Sequence, residues 1–261
     1  YWKISVNGAK NWNRFEKSYD GKDFSNNIIG KPLNGIYAYK TDGFIDKQDE
    51  MKIFYNQQGV SNYLSGSSKQ TFFKPGDHKF IDVNGDGTIT AYDQVYCGSA
   101  LPIVSGGIVN EFRWKNFDLN MLMVYSLGRH IVNNIPKTVL VNADYALMID
   151  LNDASFWEKP GDHPDYPKLE IGRKWDYVDR DVEKVNYLKL KTLTMGYSFP
   201  QKWSRKAGIN ELRIFVSGEN LFTWTNYSGL DPETVDITSG IDNMLNYPLA
   251  RKYTLGLTLK F

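Results

Sequence analysis

The amino-acid sequence predicts an all-β fold: part of an antiparallel transmembrane β-barrel with long extracellular loops. Three observations predict it: segments in which apolar and polar residues alternate, connections between them of very unequal length, and an aromatic content of 15% in 261 residues. Alternation puts every second side chain on the same face of a strand. Tyr and Trp suit a membrane interface, where one end of the ring is apolar and the other is wet.

The first elements in chain order are a single strand and a hairpin. Trp2, Ile4 and Val6 share one face and predict the first strand, while residues 36–39 are a weaker candidate. Residues 106–114 and 117–127 predict a hairpin around a tight Lys115-Asn116 turn. Its second strand has these residues on one face: Phe117, Leu119, Met121, Met123, Tyr125 and Leu127.

Three further strands follow. In residues 188–199 the leucines at 188 and 190 have the opposite parity to Leu193 and Met195, which predicts a bulge near Lys191 or Thr192. Residues 212–217 alternate regularly. The last strand, residues 253–261, has the clearest pattern, with these residues on one face: Tyr253, Leu255, Leu257, Leu259 and Phe261.

Connection lengths give an orientation if the chain ends on the periplasmic side, as bacterial barrels do. The short connections, 115–116 and 200–210, then lie in the periplasm. The long ones, 41–105, 128–186 and 222–248, lie outside the cell. Short periplasmic turns and long outer loops are typical of outer-membrane barrels.

Composition argues against several other classes of protein. Lysine and arginine total 31 against 30 acidic residues, so nucleic acid is a poor partner, and the single Cys97 cannot form an intrachain disulfide. A mean hydropathy of −0.46 fits a barrel, in which only alternate residues face lipid. His78, His130 and His163 lie far apart without metalloprotease spacing, so we expect no enzyme.

One segment, DVNGDGTITAYD at residues 82–93, has the ligand spacing of an EF-hand calcium loop. Its expected ligands are the side chains of Asp82, Asn84, Asp86 and Asp93 and the Thr88 carbonyl. Gly87 permits the central turn, and Thr90 acts through water. The twelfth residue is Asp rather than Glu and no helical pattern flanks the loop, so an Asx-rich turn that holds no metal is the alternative. Calcium would stabilise a long loop and would not catalyse.

Two soluble alternatives remain open from the residues alone. A calcium-dependent carbohydrate-binding β-sandwich also explains alternation, aromatic residues and the DVNGDG loop. A dockerin-like adhesion module explains less, because the chain has one such loop.

Four blocks resemble the SusC/RagA type of TonB-linked outer-membrane protein. They are PGDHKFIDVNGDGTITAYDQVYCGSALPIVSGGIVNEFRWKNFDL (75–118), VNYLKLKTLTMGYSFP (185–200), LRIFVSGENLFTWTNYSGLDPE (212–233) and YPLARKYTLGLTLKF (247–261). The resemblance implies that residues 1–261 are the C-terminal segment of a large plugged barrel, without the plug and the N-terminal strands.

The resemblance also implies a function and partners. It implies import of oligosaccharides or peptides across the outer membrane, a SusD-like lipoprotein at the outer mouth, and energy from TonB through a part of the receptor outside this chain. Parity then puts these residues on the lumen face: Arg213, Ser217, Glu219, Lys252 and Thr258. Four aromatic residues are expected in outer loops: Trp157, Trp175, Tyr177 and Trp224. They could stack on sugar rings, but we favour the alternative in which they brace the loops or contact the lipoprotein.

Overall fold

A computed structural model describes residues 1–21, 28–47, 74–86, 89, 91–137, 154–170, 178–204, 208–243 and 246–261. The strands in these residues are β1 (Trp2–Lys10), β2 (Gly35–Tyr39), β3 (Thr41–Phe44), β4 (His78–Phe80), β5 (Gln94–Ser99), β6 (Val104–Trp114), β7 (Phe117–Asn133), β8 (Val182–Ser198), β9 (Glu211–Thr225), β10 (Ile241–Asp242) and β11 (Lys252–Lys260). In the described part of the chain, no helix is long and apolar enough to cross a membrane.

One antiparallel sheet organises the structure, with the strand order β1-β6-β7-β8-β9-β11. Strands β6 to β9 form a meander, and the short β10 pairs in parallel with the far end of β7. Lys115, at the β6–β7 turn, has a left-handed backbone with φ of 53°. This tight turn confirms the predicted hairpin.

The bulge predicted in β8 is also confirmed. Pairing with β7 shifts because the adjacent residues Leu122 and Met123 face Thr192 and Leu190, so Lys191 is the extra residue. The shift lets Leu188 and Leu190 share a face with Leu193, although their parities differ. A continuous apolar stripe therefore runs from Leu188 to Tyr197.

Residues 36–39 correct the strand assignment. They form a strand, β2, but it pairs with β5 in a separate two-stranded sheet, and β3 pairs with β4 in another. All of residues 11–103 therefore connects β1 to β6, a longer connection than the predicted 41–105. A short buried strand shows the same alternation whichever sheet it joins. The pattern therefore could not distinguish a strand of the main sheet from a strand of a separate small sheet.

The main sheet has one apolar face, which we call the outer face. Across the six strands, register aligns the apolar residues of each strand with those of the next, for instance Trp2 with Phe112, Phe117 with Tyr197 and Val216 with Leu255. Their side chains are open to solvent: Trp2 is 66% exposed and Leu255 is 76% exposed. A β-sandwich would bury this face under a second sheet, so its exposure argues against the sandwich alternative.

The opposite, inner face of the sheet is polar. Arg213 forms a bidentate ion pair with Asp118, with nitrogen–oxygen distances of 3.0 and 2.6 Å. The hydroxyls of Thr194 and Ser217 are hydrogen-bonded at 2.8 Å. The outer face thus suits an apolar environment, and the inner face suits water.

The two ends of the sheet differ in the length of the connections between their strands. At the turn end lie residues 115–116 and the described residues of 199–210, the latter with a short helix at Gln201–Ser204. At the loop end lie the described residues of the connections 11–103, 134–181 and 226–251. Buried apolar residues concentrate at the loop end, in one cluster of Ile131, Val185, Tyr227 and Val235 and another of Ile36, Ala100 and Val132.

Candidate functional site on the inner face and in the loops

The five residues predicted to face the lumen all lie on the inner face, as register shows. Arg213, Ser217 and Glu219 pair with Ser198, Thr194 and Thr192 of β8, and with Thr258, Thr254 and Lys252 of β11. Charges on this face are paired, since Lys252 also lies 3.7 Å from Glu219. This part of the inner face is therefore hydrophilic with little net charge.

A buried ion network occupies the same face beside the β8 bulge. The Lys189 ammonium is 2% exposed and lies 2.9 Å from Asp231 and 2.7 Å from Glu233. Lys191 lies 2.5 Å from the other oxygen of Glu233. Because an unpaired buried ammonium is very costly, these two carboxylates are what allow Lys189 to be buried.

Both carboxylates belong to residues 227–242, which we call the docked segment. Arg129, 2% exposed, donates to the carbonyl oxygens of Pro232, Val235 and Asp236 at 3.0–3.3 Å. The Tyr227 hydroxyl donates to Asp242 at 2.6 Å, and burial followed by that hydrogen bond raises the pKa of Tyr227. The connection after β9 thus folds back onto the inner face and is held there by charges and by apolar packing.

The alternation of residues in the sequence did not predict this network. Lys189 and Lys191 share the polar parity of β8, and the acidic pair Asp231 and Glu233 follows 42 residues after Lys189. A pair of lysines close together on the inner stripe of β8 was the available signal. Nothing in the alternation indicated which loop would supply their partners.

The predicted calcium loop lies between β4 and β5, at the loop end. Asp93, fully buried in a 3-10 turn at Ala91–Asp93, accepts from the Val83 amide at 3.0 Å. Asp82 accepts from the Gly85 amide at 2.7 Å, and Asn84 accepts from the Asp86 amide at 2.8 Å. The first and twelfth positions of the motif are thereby close together.

Part of that loop lies outside the described residues, namely Thr88 with Gly87 and Thr90. Among the residues that are described, no group of three or more His, Cys, Asp or Glu side chains could hold a metal ion. The loop's flanks are strands and a 3-10 turn, as the absence of a helical pattern predicted. Calcium binding by Asp82, Asn84, Asp86, Thr88 and Asp93 therefore stays a prediction.

The aromatic residues expected in outer loops have different environments. Trp157 is 5% exposed and donates to Asp46 at 3.1 Å, so it braces two loops against each other. Trp224 was wrongly assigned to a loop: β9 continues to Thr225, and Trp224 lies on the outer face. Trp175 and Tyr177 lie outside the described residues.

Comparisons with known proteins agree with the fold. No protein-family model matches the chain. The whole chain is 28% identical over 275 residues to TonB-dependent receptor P3 of Formosa agariphila, and 26% identical over 266 residues to TonB-dependent receptor SusC of Bacteroides thetaiotaomicron. It spans about a quarter of their length, 27% and 24% respectively.

Solved structures show the same similarity. The chain matches the structure of the RagAB peptide transporter with a TM-score of 0.67 at 22% identity, covering all of this chain and 27% of that one. The RagAB peptide importer in its open-open state gives a TM-score of 0.60 at 21% identity, with the same coverage of both chains. These matches confirm the predicted fold class, an antiparallel β-barrel portion, and the sequence relatives confirm the resemblance.

Proposed function

Since this chain is a segment of a SusC/RagA-type TonB-dependent receptor, we propose that it forms part of the barrel wall of an outer-membrane nutrient importer. The segment is the C-terminal one, and the plug and the remaining strands belong to other parts of the receptor. Within the described residues β1 pairs only with β6 in the main sheet, and β11 only with β9. Both outer edges of the sheet thus require neighbouring strands.

The observation that carries this proposal is the exposed apolar outer face, which is backed by a polar inner face. Monomeric soluble proteins rarely expose an apolar patch of more than a few hundred Å². Aromatic residues point outward near both ends of this face: Trp114 and Phe117 at the turn end, Tyr125 and Trp224 at the loop end. Such a pair of aromatic girdles is typical of outer-membrane barrels.

The connections support an orientation. Long loops of outer-membrane barrels face the exterior, and short turns face the periplasm. The docked segment and the loop of Asp82 to Asp93 then lie on the outer side. In this arrangement the docked segment narrows the outer half of the lumen at one part of the wall.

Cargo and partners follow from the relatives. The resemblance to the SusC/RagA type implies oligosaccharides or peptides, and a structural neighbour is titled a peptide transporter, so we propose oligosaccharides or peptides as cargo. A SusD-like lipoprotein covers the outer mouth, and TonB acts through a part of the receptor beyond this chain. Calcium, bound by residues 82–93, stabilises the loop end.

Epitope accessibility in intact cells tests the proposal. In the full-length receptor, one tag is inserted after Pro160, in an exposed turn at the loop end, and a matched tag after Gly208, at the turn end. We expect antibody to label the first tag on intact cells and the second only after permeabilisation. Equal labelling of both tags, or recovery of the receptor from the soluble fraction alone, contradicts the proposal.

A separate experiment tests calcium. Calorimetric titration of the full-length receptor, purified with chelator, should show a saturable binding event that Asp86→Ala abolishes. Asp42→Ala, an exposed carboxylate outside the motif, is the control and should leave that event unchanged. A wild-type receptor that takes up no calcium contradicts this part of the proposal, and the transport proposal stands.

A further inference from the structure

A recess interrupts the outer face near its loop end. Register puts Gly8, Gly106, Tyr125, Leu188 and Trp224 in one row across five strands. Two adjacent strands therefore contribute no side chain to this row. Beside this row lies a depression of about 520 Å³, lined by Tyr125, Leu188 and Trp224 of the row and by Val6, Ile108, Leu127 and Asn186 around it.

The floor of the recess is held in place by Tyr125. Its side chain lies across the two glycines, and its hydroxyl donates to the carbonyl oxygen of Asn7 at 2.9 Å. A Cβ atom on Gly8 would lie 2.7 Å from that hydroxyl oxygen, and one on Gly106 would lie 2.5 Å from it. Glycine at both positions thus allows the Tyr125 ring, which lines the recess, to lie across the two strands.

Apolar side chains surround this floor. Val6 and Ile108 lie one row toward the turn end, Leu127 lies one row toward the loop end, and Leu188 and Trp224 continue the row along β8 and β9. Val6, Leu127 and Trp224 remain 42–66% exposed. The recess is therefore open and accepts an apolar ligand from the side of the sheet that faces lipid.

Basic side chains lie on the same face just beyond the recess. Lys10 pairs with Val104, one row toward the loop end from Gly8, and its ammonium lies 4.4 Å from the centre of the Trp12 ring. Lys184 is exposed and has the parity of Leu188, two rows toward the loop end. An apolar recess with cations at one end complements a molecule that has an acyl chain and an anionic headgroup.

We propose that this recess is a binding site for one anionic lipid of the outer leaflet, with an acyl chain in the recess and the headgroup phosphate near Lys10 and Lys184. The proposal rests on the proposed function, which puts the outer face in the outer membrane and the loop end at its outer surface. The site is fixed to the barrel wall, so the lipid binds beside the transport path rather than in it.

Native mass spectrometry of the full-length receptor tests this site. The receptor is purified in detergent and incubated with dimyristoyl phosphatidylglycerol or, at the same concentration, with zwitterionic dimyristoyl phosphatidylcholine. We expect one retained phosphatidylglycerol that Leu127→Trp, which fills the recess, reduces on the order of tenfold, because the variant removes the space for the acyl chain. Leu257→Trp on the same face of β11, away from the recess, is the matched control and should retain the lipid.

Charge is tested separately. The double variant Lys10→Gln/Lys184→Gln should lose most of the preference for phosphatidylglycerol over phosphatidylcholine, on the order of tenfold for two lysines near a phosphate. Lys252→Gln on the inner face should not change that preference. If the Leu127→Trp receptor reaches the outer membrane and retains the lipid unchanged, the proposed lipid site is wrong and the proposed function stands. If the epitope experiment fails, the proposed function itself is wrong.

Discussion

Two regions of one sheet differ in the way they are stabilised. Toward the turn end, the wall exposes its apolar face and keeps its polar face inside, as in the row of Phe117, Tyr197 and Ile214. Toward the loop end, the same strands β7 and β8 continue past the wall, and residues such as Ile131 and Val185 are fully buried. At the loop end both faces of β7 are covered by loops, as the burial of Ile131 and Val132 shows, whereas the wall needs lipid on one face.

This comparison shows that the solvent, more than the secondary structure, decides where a core forms. At the loop end, burial against protein supplies the hydrophobic free energy. In the wall, lipid replaces the second layer, and polar substitutions on the outer face are penalised according to their depth in the membrane. The two regions should therefore respond differently to charge, and the following substitutions test that difference.

The largest effect should follow from Lys189→Met. Removing the ammonium leaves the buried Asp231 carboxylate without its ion-pair partner and Glu233 with Lys191 alone, which costs about 3–5 kcal/mol for a broken buried pair. We expect residues 227–242 to lose protection from amide hydrogen exchange, measured by mass spectrometry on the full-length receptor. Lys191→Met is the control: Lys191 is 25% exposed, and Glu233 keeps Lys189 as a partner, so we expect a much smaller loss.

The same measurement also separates the effect of the ion network from that of apolar packing. If protection of residues 227–242 is unchanged in Lys189→Met, apolar packing of Tyr227 and Val235 is sufficient to hold the docked segment. The ion network would then be incidental to docking.

A charge on the outer face should have the next largest effect. Leu255→Lys puts an ammonium on the apolar face of β11, and such substitutions cost about 2–4 kcal/mol at the bilayer midplane. Thr254→Lys, the adjacent residue on the inner face, is the matched control, because its side chain faces Ser217 and water. We expect less of the Leu255→Lys receptor in the outer membrane by quantitative blotting, and an equal loss in both variants would contradict the assignment of the two faces.

Alternation predicted the wall better than the loop end, for a physical reason. In the wall each strand has lipid on one side and water on the other, so apolar and polar residues alternate strictly. Even the bulge at Lys191 was visible in the sequence, because the apolar residues change from even to odd positions there. In β7 the predicted strand stopped at Leu127 because Gly128, with φ of 74°, lies within a shift of register between Ser126 and Arg129. Beyond that shift both faces are covered by loops, so apolar residues no longer alternate with polar ones.

The candidate site was predictable only in part. Arg213, Ser217 and Glu219 could be assigned to the inner face, because successive residues of a strand point to opposite faces of the sheet. The partners of Lys189 and Arg129 could not, since contacts more than 40 residues apart in sequence follow from loop packing rather than from a local period. For the same reason the DVNGDG spacing gave the ligand types of a calcium loop without their final geometry.

The smallest predicted effect concerns a carboxylate at the loop end. Burial raises the pKa of Asp181 to about 6, partly offset by the amide of Val178 and by Lys137 and Arg180. Its pKa in the unfolded chain is about 3.9, so the folded state holds the proton more tightly. The contribution of Asp181 to the stability of the loop end is therefore greatest below about pH 4, falls as pH rises from about 4 to 6, and is replaced above that range by the full cost of the buried charge.

Asp181→Asn should remove this dependence on pH, because the amide oxygen can still accept from Val178 and no charge is buried. We expect the variant to match the wild type near pH 4 and to be more stable at pH 7.5 by about 1–2 kcal/mol, after allowing for solvent screening. Hydrogen exchange of residues 178–185 at the two pH values measures the difference, and Asp165→Asn, an exposed carboxylate in the same region, is the control. Because Asp181 lies in the 3-10 turn before β8, outside the wall strands, we expect the same pH effect in detergent and in membranes. The effect of Leu255→Lys should depend on which of the two surrounds the barrel.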